Sequence, residues 1–198
     1  MDYSDALDVI ARTRDEVKLS EMPTGENLFL VWGWSGAVFS ALEFILWQCL
    51  HQDWCLYVFI GIPMVGIPLM IHFLRKDRER THSRTRGAKL ILDYWIFAGA
   101  ACCTGSFILG LAGLFEVCAI PLTCLLVGIG SFITGEVLHF RPKIIGGLAG
   151  CAIGMGSVFF QGELWHWQVL AMALVAVVAL IVPGHLYKKR IRHGVQGA

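Results

Sequence analysis

Acidic and histidine side chains lie inside hydrophobic stretches of this sequence, where they could bind a cation or relay protons. Glu43 is the deepest of them, in the second half of the first stretch. The others sit near the edges of later stretches, and they are His72, Asp93, Glu136, His139 and His185. Ionisable groups within a membrane are costly and often functional, so the six residues form a predicted intramembrane polar site. The alternative for the last five is a place among lipid headgroups, with some of them paired to Arg or Lys. Glu163 and His166 are interpreted as simple edge residues.

Motifs for catalysis and cofactor binding are missing from the sequence. It has no H-E-x-x-H, no G-x-S-x-G and no Walker-type phosphate loop, and its seven cysteines form no C-x-x-C pair. No cofactor is therefore predicted, and no metal-ligand set is assigned. An enzyme whose active site is assembled from separate helices stays open as the least favoured function.

The hydrophobic stretches themselves predict the fold. Hydrophobic residues make up 56% of the 198 residues and charged residues 16%, against about 25% charged residues in a typical soluble domain. Stretches of about 20 apolar residues satisfy their backbone hydrogen bonds in lipid only as helices. The six stretches cover residues 28–48, 54–74, 90–112, 117–139, 144–161 and 164–187. We predict an all-α polytopic membrane bundle of six transmembrane helices.

The positions of lysine and arginine predict the orientation of this bundle. All sixteen lie before the first stretch, after the sixth, or in the connections between the second and third and between the fourth and fifth. Because short loops rich in Lys and Arg stay in the cytoplasm, both termini are predicted to be cytoplasmic.

The connection between the second and third stretches is the most basic part of the chain. Its predicted topology anchors are Arg75, Lys76, Arg78, Arg80, Arg84, Arg86 and Lys89. Asp77 and Glu79 dilute this positive charge, and no aromatic residue interleaves with it. The predicted partner of the segment is therefore the anionic surface of the lipid bilayer and not nucleic acid.

Residues 3–19, ahead of the first stretch, fit an amphipathic helix, with apolar residues at helical spacing and charges opposite. We predict a cytoplasmic helix and linker over 1–26, the six-helix domain over 27–187 and a basic cytoplasmic tail over 188–198. The N-terminal helix either lies on the membrane surface, at the mouth of the bundle, or docks a cytoplasmic protein partner.

Small residues mark a predicted packing face in the fifth stretch, where Gly146, Gly150 and Gly154 recur every four residues. Glycines at this spacing let helix backbones approach closely in lipid. The face either holds helices together within one chain or joins two chains of a homo-oligomer.

Three short motifs resemble a group of bacterial six-span membrane proteins. They are the aromatic-Leu-x-Trp-Gly run Phe29–Gly33, the turn Phe140–Pro142 followed by Gly146 and Gly147, and the pair Pro183–Gly184. The resemblance extends over nearly the full length and implies a bacterial inner membrane and the same six-helix layout. It implies no activity.

These observations favour a non-enzymatic membrane protein that binds a partner or senses a signal through its cytoplasmic face. The alternative is a small transporter or channel subunit that carries an ion, a proton or a solute past Glu43 and the inner polar residues. Transport predicts a wet cavity that reaches Glu43 or Asp93, and it fails if both residues lie in dry packing or face lipid.

Overall fold

The computed structural model describes residues 23–78, 86–112, 114 and 118–196. Helix α1 is Pro23–Leu50, and a 3₁₀ segment, Asp53–Ile60, leads into α2, Gly61–Arg78. Helices α3, α4 and α5 are Arg86–Leu111, Ile120–Val137 and Arg141–Ser157. A 3₁₀ turn, Gly162–Leu164, precedes α6, which joins His166–Val175, the π-helical segment Ala176–Ile181 and Val182–Gln196 without a break.

The predicted all-α fold is confirmed, because every regular element of the described residues is a helix. The predicted N-terminal helix, residues 3–19, lies outside those residues, as do Arg80 and Arg84. Arg75 and Lys89 are exposed. The other three anchors, Lys76, Arg78 and Arg86, lie on α2 and α3, and their side chains are outside the described part.

Among the described residues, four helices are long and apolar enough to cross a membrane, against the six that were predicted. Their apolar stretches are Asn27–Leu50, Lys89–Leu109, Ile120–Val137 and His166–Arg190. The two others are shorter for identifiable reasons. The second is interrupted, since its first part is a 3₁₀ segment and its apolar helical run is only Tyr57–Phe73. Helix α5 has 17 residues and begins at Arg141, so it is about 26 Å long, slightly less than a hydrocarbon core of about 30 Å.

Contacts between the helices show that neighbours in the chain run antiparallel. Along α1 and α2, Phe39 meets Gly61 and Trp32 meets Gly66. Along α4 and α5, Gly128 meets Cys151, and the later residue Gly135 meets the earlier residue Ile144. The starts of α1, α3 and α5 therefore share one end of the bundle with the ends of α2, α4 and α6. We call it the basic end, because Arg75, Lys89, Arg141 and Arg190 lie there, and we call the opposite one the non-basic end.

Helix α6 is the hub of the bundle, because it packs against α1, α4 and α5. The buried core therefore consists of residues from α4, from α6 and from the position just before α6. They are Ile120, Cys124, Trp165, Val169, Val175 and Ala179. Helix α2 packs on α1 and α3 on α4, at the two flanks. Large apolar side chains such as Phe97, Phe107 and Phe159 cover the outside, as in a protein that lipid solvates.

The closest helix contact joins α4 and α5 through glycines. A methyl group added to Gly147 would strike the backbone of Phe132, and one added to Gly128 would lie 2.7 Å from the amide nitrogen of Cys151. The predicted packing glycines divide between two neighbours. Gly146 faces Val178 of α6, Gly154 faces Cys124 of α4, and Gly150 touches both helices. All these contacts lie within one chain.

A glycine pair in α5 tests this close packing. We expect Gly147→Ala to lower the free energy of unfolding by about 1–3 kcal/mol, since the new methyl group meets rigid backbone on α4. Gly156→Ala is the matched control in the same helix, because nothing lies within 4 Å of its added carbon. Thermal unfolding in detergent should show no loss for the control. Equal losses for both variants would contradict the packing described here.

His139 ends α4 in a conformation that usually belongs to glycine. Its φ is 50°, and its N–H donates to the Glu136 carbonyl at 3.1 Å while the N–H of Phe140 donates to the Gly135 carbonyl at 2.9 Å. This pair of hydrogen bonds is the Schellman motif, with His139 at its left-handed position. A helix-terminating role therefore accounts for the place of this histidine.

We expect His139→Gly to raise the free energy of unfolding by about 1 kcal/mol, because glycine adopts the left-handed backbone without the clash that a Cβ brings. His139→Ala, which keeps the Cβ, should give no such gain. A melting temperature that rises equally in both variants would refute the argument.

Candidate intramembrane polar site

Glu43 is the buried charge of α1. Its side chain is 0% exposed, and neither carboxylate oxygen has a hydrogen-bond partner among the described residues. Ser40 and Trp47 lie three and four residues away and so share its helix face. This face looks toward α6, since Gly36 meets Ala176 and Trp47 stacks on His166.

The register between α1 and α6 sets the level of Glu43 in the bundle. Phe44 packs on Trp167 with ring centroids 5.7 Å apart, and Trp47 packs on His166. Because the two helices run antiparallel, Glu43 lies level with the first turn of α6. Gln168 and Val169 are in that turn, and both are 0% exposed.

Three more polar atoms near this level have no hydrogen-bond partner within the described part of the chain. They are Ser40 Oγ, Gln168 Oε1 and His166 Nδ1. The amide nitrogen of Gln168 donates to the Phe160 carbonyl, so only its oxygen remains available. Together with the Glu43 carboxylate, the set consists of oxygen atoms and one imidazole nitrogen, which can accept a proton or face a cation.

An isolated carboxylate in this position is strongly unfavourable. Moving an ionised group out of water without a partner costs far more than the few kcal/mol of a missing neutral hydrogen bond. Glu43 therefore has to hold a proton or stand next to a cation. No group of three His, Cys, Asp or Glu side chains suited to a metal ion exists among the described residues.

Aromatic rings close the polar site toward the non-basic end. Trp47 contacts two imidazoles, with its ring centroid 3.0 Å from that of His166 and 4.9 Å from that of His51. Trp165 meets Trp47 edge-on at 6.4 Å. His166, interpreted from sequence as an edge residue, is only 4% exposed, whereas His51 is exposed.

The five other predicted polar residues do not join this site. His72, Asp93, Glu136, His139 and His185 are all exposed, on four different helices or their ends. No hydrogen bond or ion pair between any two of them is found in the described structure. They lie toward the basic end, whereas Glu43 lies in the other half of α1.

The backbone hydrogen bonding of helix α6 changes at its π-helical segment. Pro183 has no N–H, so the Ala179 carbonyl cannot receive the usual helical hydrogen bond from the residue four positions later. The hydroxyl of Ser131 on α4 donates to that carbonyl at 2.6 Å instead. Gly33 of α1 and Gly146 of α5 press against the same segment, so three helices meet α6 where its own hydrogen bonding changes.

A buried lysine closes the basic end. Lys143, the third residue of α5, is 4% exposed, and its ammonium lies 3.0 Å from the ring centroid of Phe29. Trp95 meets the same phenylalanine at 5.4 Å and donates from Nε1 to Thr134 Oγ1 at 3.2 Å. The sequence had assigned Lys143 only to the basic residues that orient the chain.

Searches for similar proteins return no match among family models, curated proteins or solved structures. The function is therefore argued from the site itself.

The Ser131 hydrogen bond predicts a non-additive pair of substitutions. Ser131→Ala should lower the free energy of unfolding by about 1–3 kcal/mol, because it leaves the buried Ala179 carbonyl without a donor. In a Pro183→Ala background the backbone N–H returns, and the same substitution should then have a smaller effect. A double-mutant cycle on thermal unfolding measures the difference. Equal effects in both backgrounds would exclude this explanation of the Ser131 contact.

Proposed function

We propose that the chain is a six-span protein of the bacterial inner membrane that binds a proton or a small monovalent cation at Glu43 and carries it across the bilayer. The observation that carries the proposal is the Glu43 carboxylate, fully buried with both oxygens unpartnered among the described residues. A group of this kind inside a membrane bundle has a function by default, since its burial weakens the fold.

Topology supports the proposal. The six helices alternate in direction, and the sixteen Lys and Arg residues belong to the connections and termini of one end. With this end in the cytoplasm, both termini are cytoplasmic. The interrupted α2 and the short α5 then cross with the help of flanking residues, which lipid accommodates at modest cost.

Transport needs access to Glu43 from each side in turn, and the structure holds it closed. The wet cavity expected of a transporter does not reach Glu43 in this state, because the carboxylate is 0% exposed, whereas Asp93 is exposed. Opening requires that α1 and α6 separate, and α6 has a suitable place to bend in the π-helical segment before Pro183. Such π segments and prolines are common where membrane helices move.

The predicted partner-binding role rests on residues 3–19, which are outside the described residues, and it stays a prediction. The same holds for a homo-oligomer. Neither conflicts with a proton or cation site at Glu43.

Purified protein in liposomes tests the proposal. Flux of protons, Na⁺ and K⁺ is followed with indicator dyes under an imposed membrane potential. Glu43→Gln should reduce the active flux to that of protein-free liposomes, because the neutral amide cannot exchange a charge. The control is Glu136→Gln, which changes an exposed carboxylate on α4, and it should retain the flux. Wild-type protein that conducts none of these ions, or Glu43→Gln that conducts as well as wild type, would refute the proposed function.

Stability offers an independent prediction for Glu43. We expect Glu43→Gln to raise the free energy of unfolding by about 1–3 kcal/mol above neutral pH, because it replaces a buried carboxylate that can ionise with an amide that stays neutral. The gain should grow as the pH is raised, since only the ionised carboxylate is penalised by burial. Thermal unfolding across a pH series measures it. A gain that is constant with pH would show that the carboxylate is not the source.

A further inference from the structure

We propose that the ligand of Glu43 is a proton, and that His166 and His51 form its route to the non-basic end of the bundle. This inference rests on the proposed function, and it adds the identity of the ligand and the residues of one half of the path.

The packing around Glu43 favours a proton over a metal cation. Glu43 and Gln168 are both 0% exposed, as is Val169 beside them. Cations bound by oxygen ligands need several of them around a defined cavity, whereas a proton needs one lone pair and no added volume. The imidazole nitrogen at this level also fits a proton better, because imidazole exchanges protons near neutral pH and alkali cations prefer oxygen ligands.

His166 is the closest proton-exchanging group that the register offers to Glu43. It stacks on Trp47. Trp47 lies one helical turn after Glu43 along α1, a rise of about 6 Å. Its Nδ1 is buried and has no hydrogen-bond partner in the described structure. A buried imidazole nitrogen without a partner is itself unfavourable, and it gains one whenever it shares a proton with a neighbouring group.

His51 connects this buried imidazole to the outside. It is exposed, it follows directly after α1, and its ring centroid lies 4.9 Å from that of Trp47, on which His166 stacks. The face of an indole attracts a cation, which stabilises an imidazolium next to Trp47.

Few other titratable groups face this pair among the described side chains. They are Cys49 on α1, Cys55 and Tyr57 on the 3₁₀ segment, and Cys118 and Cys124 at the start of α4. Asp53 and Glu163 lie on the 3₁₀ segments at the same end, and their side chains are outside the described part of the chain. His51 and His166 are the described imidazoles at this end, and an imidazole can both accept and donate a proton.

The transfer step moves one proton and no electrons. The imidazolium of His166 breaks an N–H bond and gives the proton to a carboxylate oxygen of Glu43, where an O–H bond forms. The products are a neutral imidazole and a neutral carboxylic acid. His166 then takes a new proton from the His51 imidazolium or from water, and His51 is reprotonated by the bulk phase.

The test uses full-length protein in liposomes, with a pH-sensitive dye inside and a membrane potential that drives protons inward. The variants are Glu43→Gln, His166→Gln and His51→Gln. The control is His185→Gln, an exposed histidine near the basic end of α6. We expect Glu43→Gln to abolish proton flux and His166→Gln to slow it on the order of a hundredfold, the scale of a lost proton-transfer group. His51→Gln should slow proton flux as well, because the exposed imidazole of the route is lost.

Added imidazole separates proton transfer from packing. It should restore flux in the His166→Gln protein, which a merely structural defect would not allow, and His166→Asn provides a second variant with the same expectation. If His166→Gln and His166→Asn conduct like wild type while Glu43→Gln is inactive, the relay is wrong and the proposed function stands. If Glu43 supports Na⁺ or K⁺ flux without proton flux, the ligand is wrong. If Glu43→Gln conducts normally, the proposed function itself fails.

Discussion

A membrane interior offers no water to polar groups, and this one constraint explains the unusual features of the bundle. Where Pro183 removes a backbone donor from α6, the Ser131 hydroxyl of a neighbouring helix replaces it. Where Trp95 is partly buried, its indole nitrogen finds Thr134. Glu43 and its neighbours Ser40, His166 and Gln168 are the exceptions, because each has a buried polar atom without a partner in the described structure. Exceptions to so strict a rule identify the residues whose chemistry has to be explained.

Glycine makes the surrounding structure possible. Helices in lipid gain little from hydrophobic association, so they depend on close van der Waals contact. Gly128, Gly147 and Gly154 bring α4 and α5 together, while Gly146 brings α5 to α6. Gly33 lets α1 reach α6 at the π-helical segment. The polar site therefore lies where α1 faces α6. Gly33, near the other end of α1, sets how closely these two helices approach each other.

Much of the fold could be predicted from hydrophobic length, and less of the site. The first helix was predicted over residues 28–48, and in the structure it is Pro23–Leu50. It is longer because backbone hydrogen bonding continues past the apolar residues. Glu43 stands out in any such stretch as a charge among apolar neighbours. Ser40 and Gln168 cannot be recognised in the sequence in this way, because their burial depends on which helix faces them. The π-helical segment has no periodic signal, and His139 looked like a site residue because sequence does not reveal a left-handed backbone.

The hub of the bundle is also its last helix, and this has a consequence for biosynthesis. Helices α1, α4 and α5 all pack on α6, yet they leave the ribosome before it. Until the C-terminal part of the chain is inserted, the face of α1 that carries Ser40 and Glu43 has no α6 to cover it. Assembly of the six described helices is thus delayed until α6 has been inserted, and a chain that lacks α6 would have an uncovered carboxylate in the bilayer.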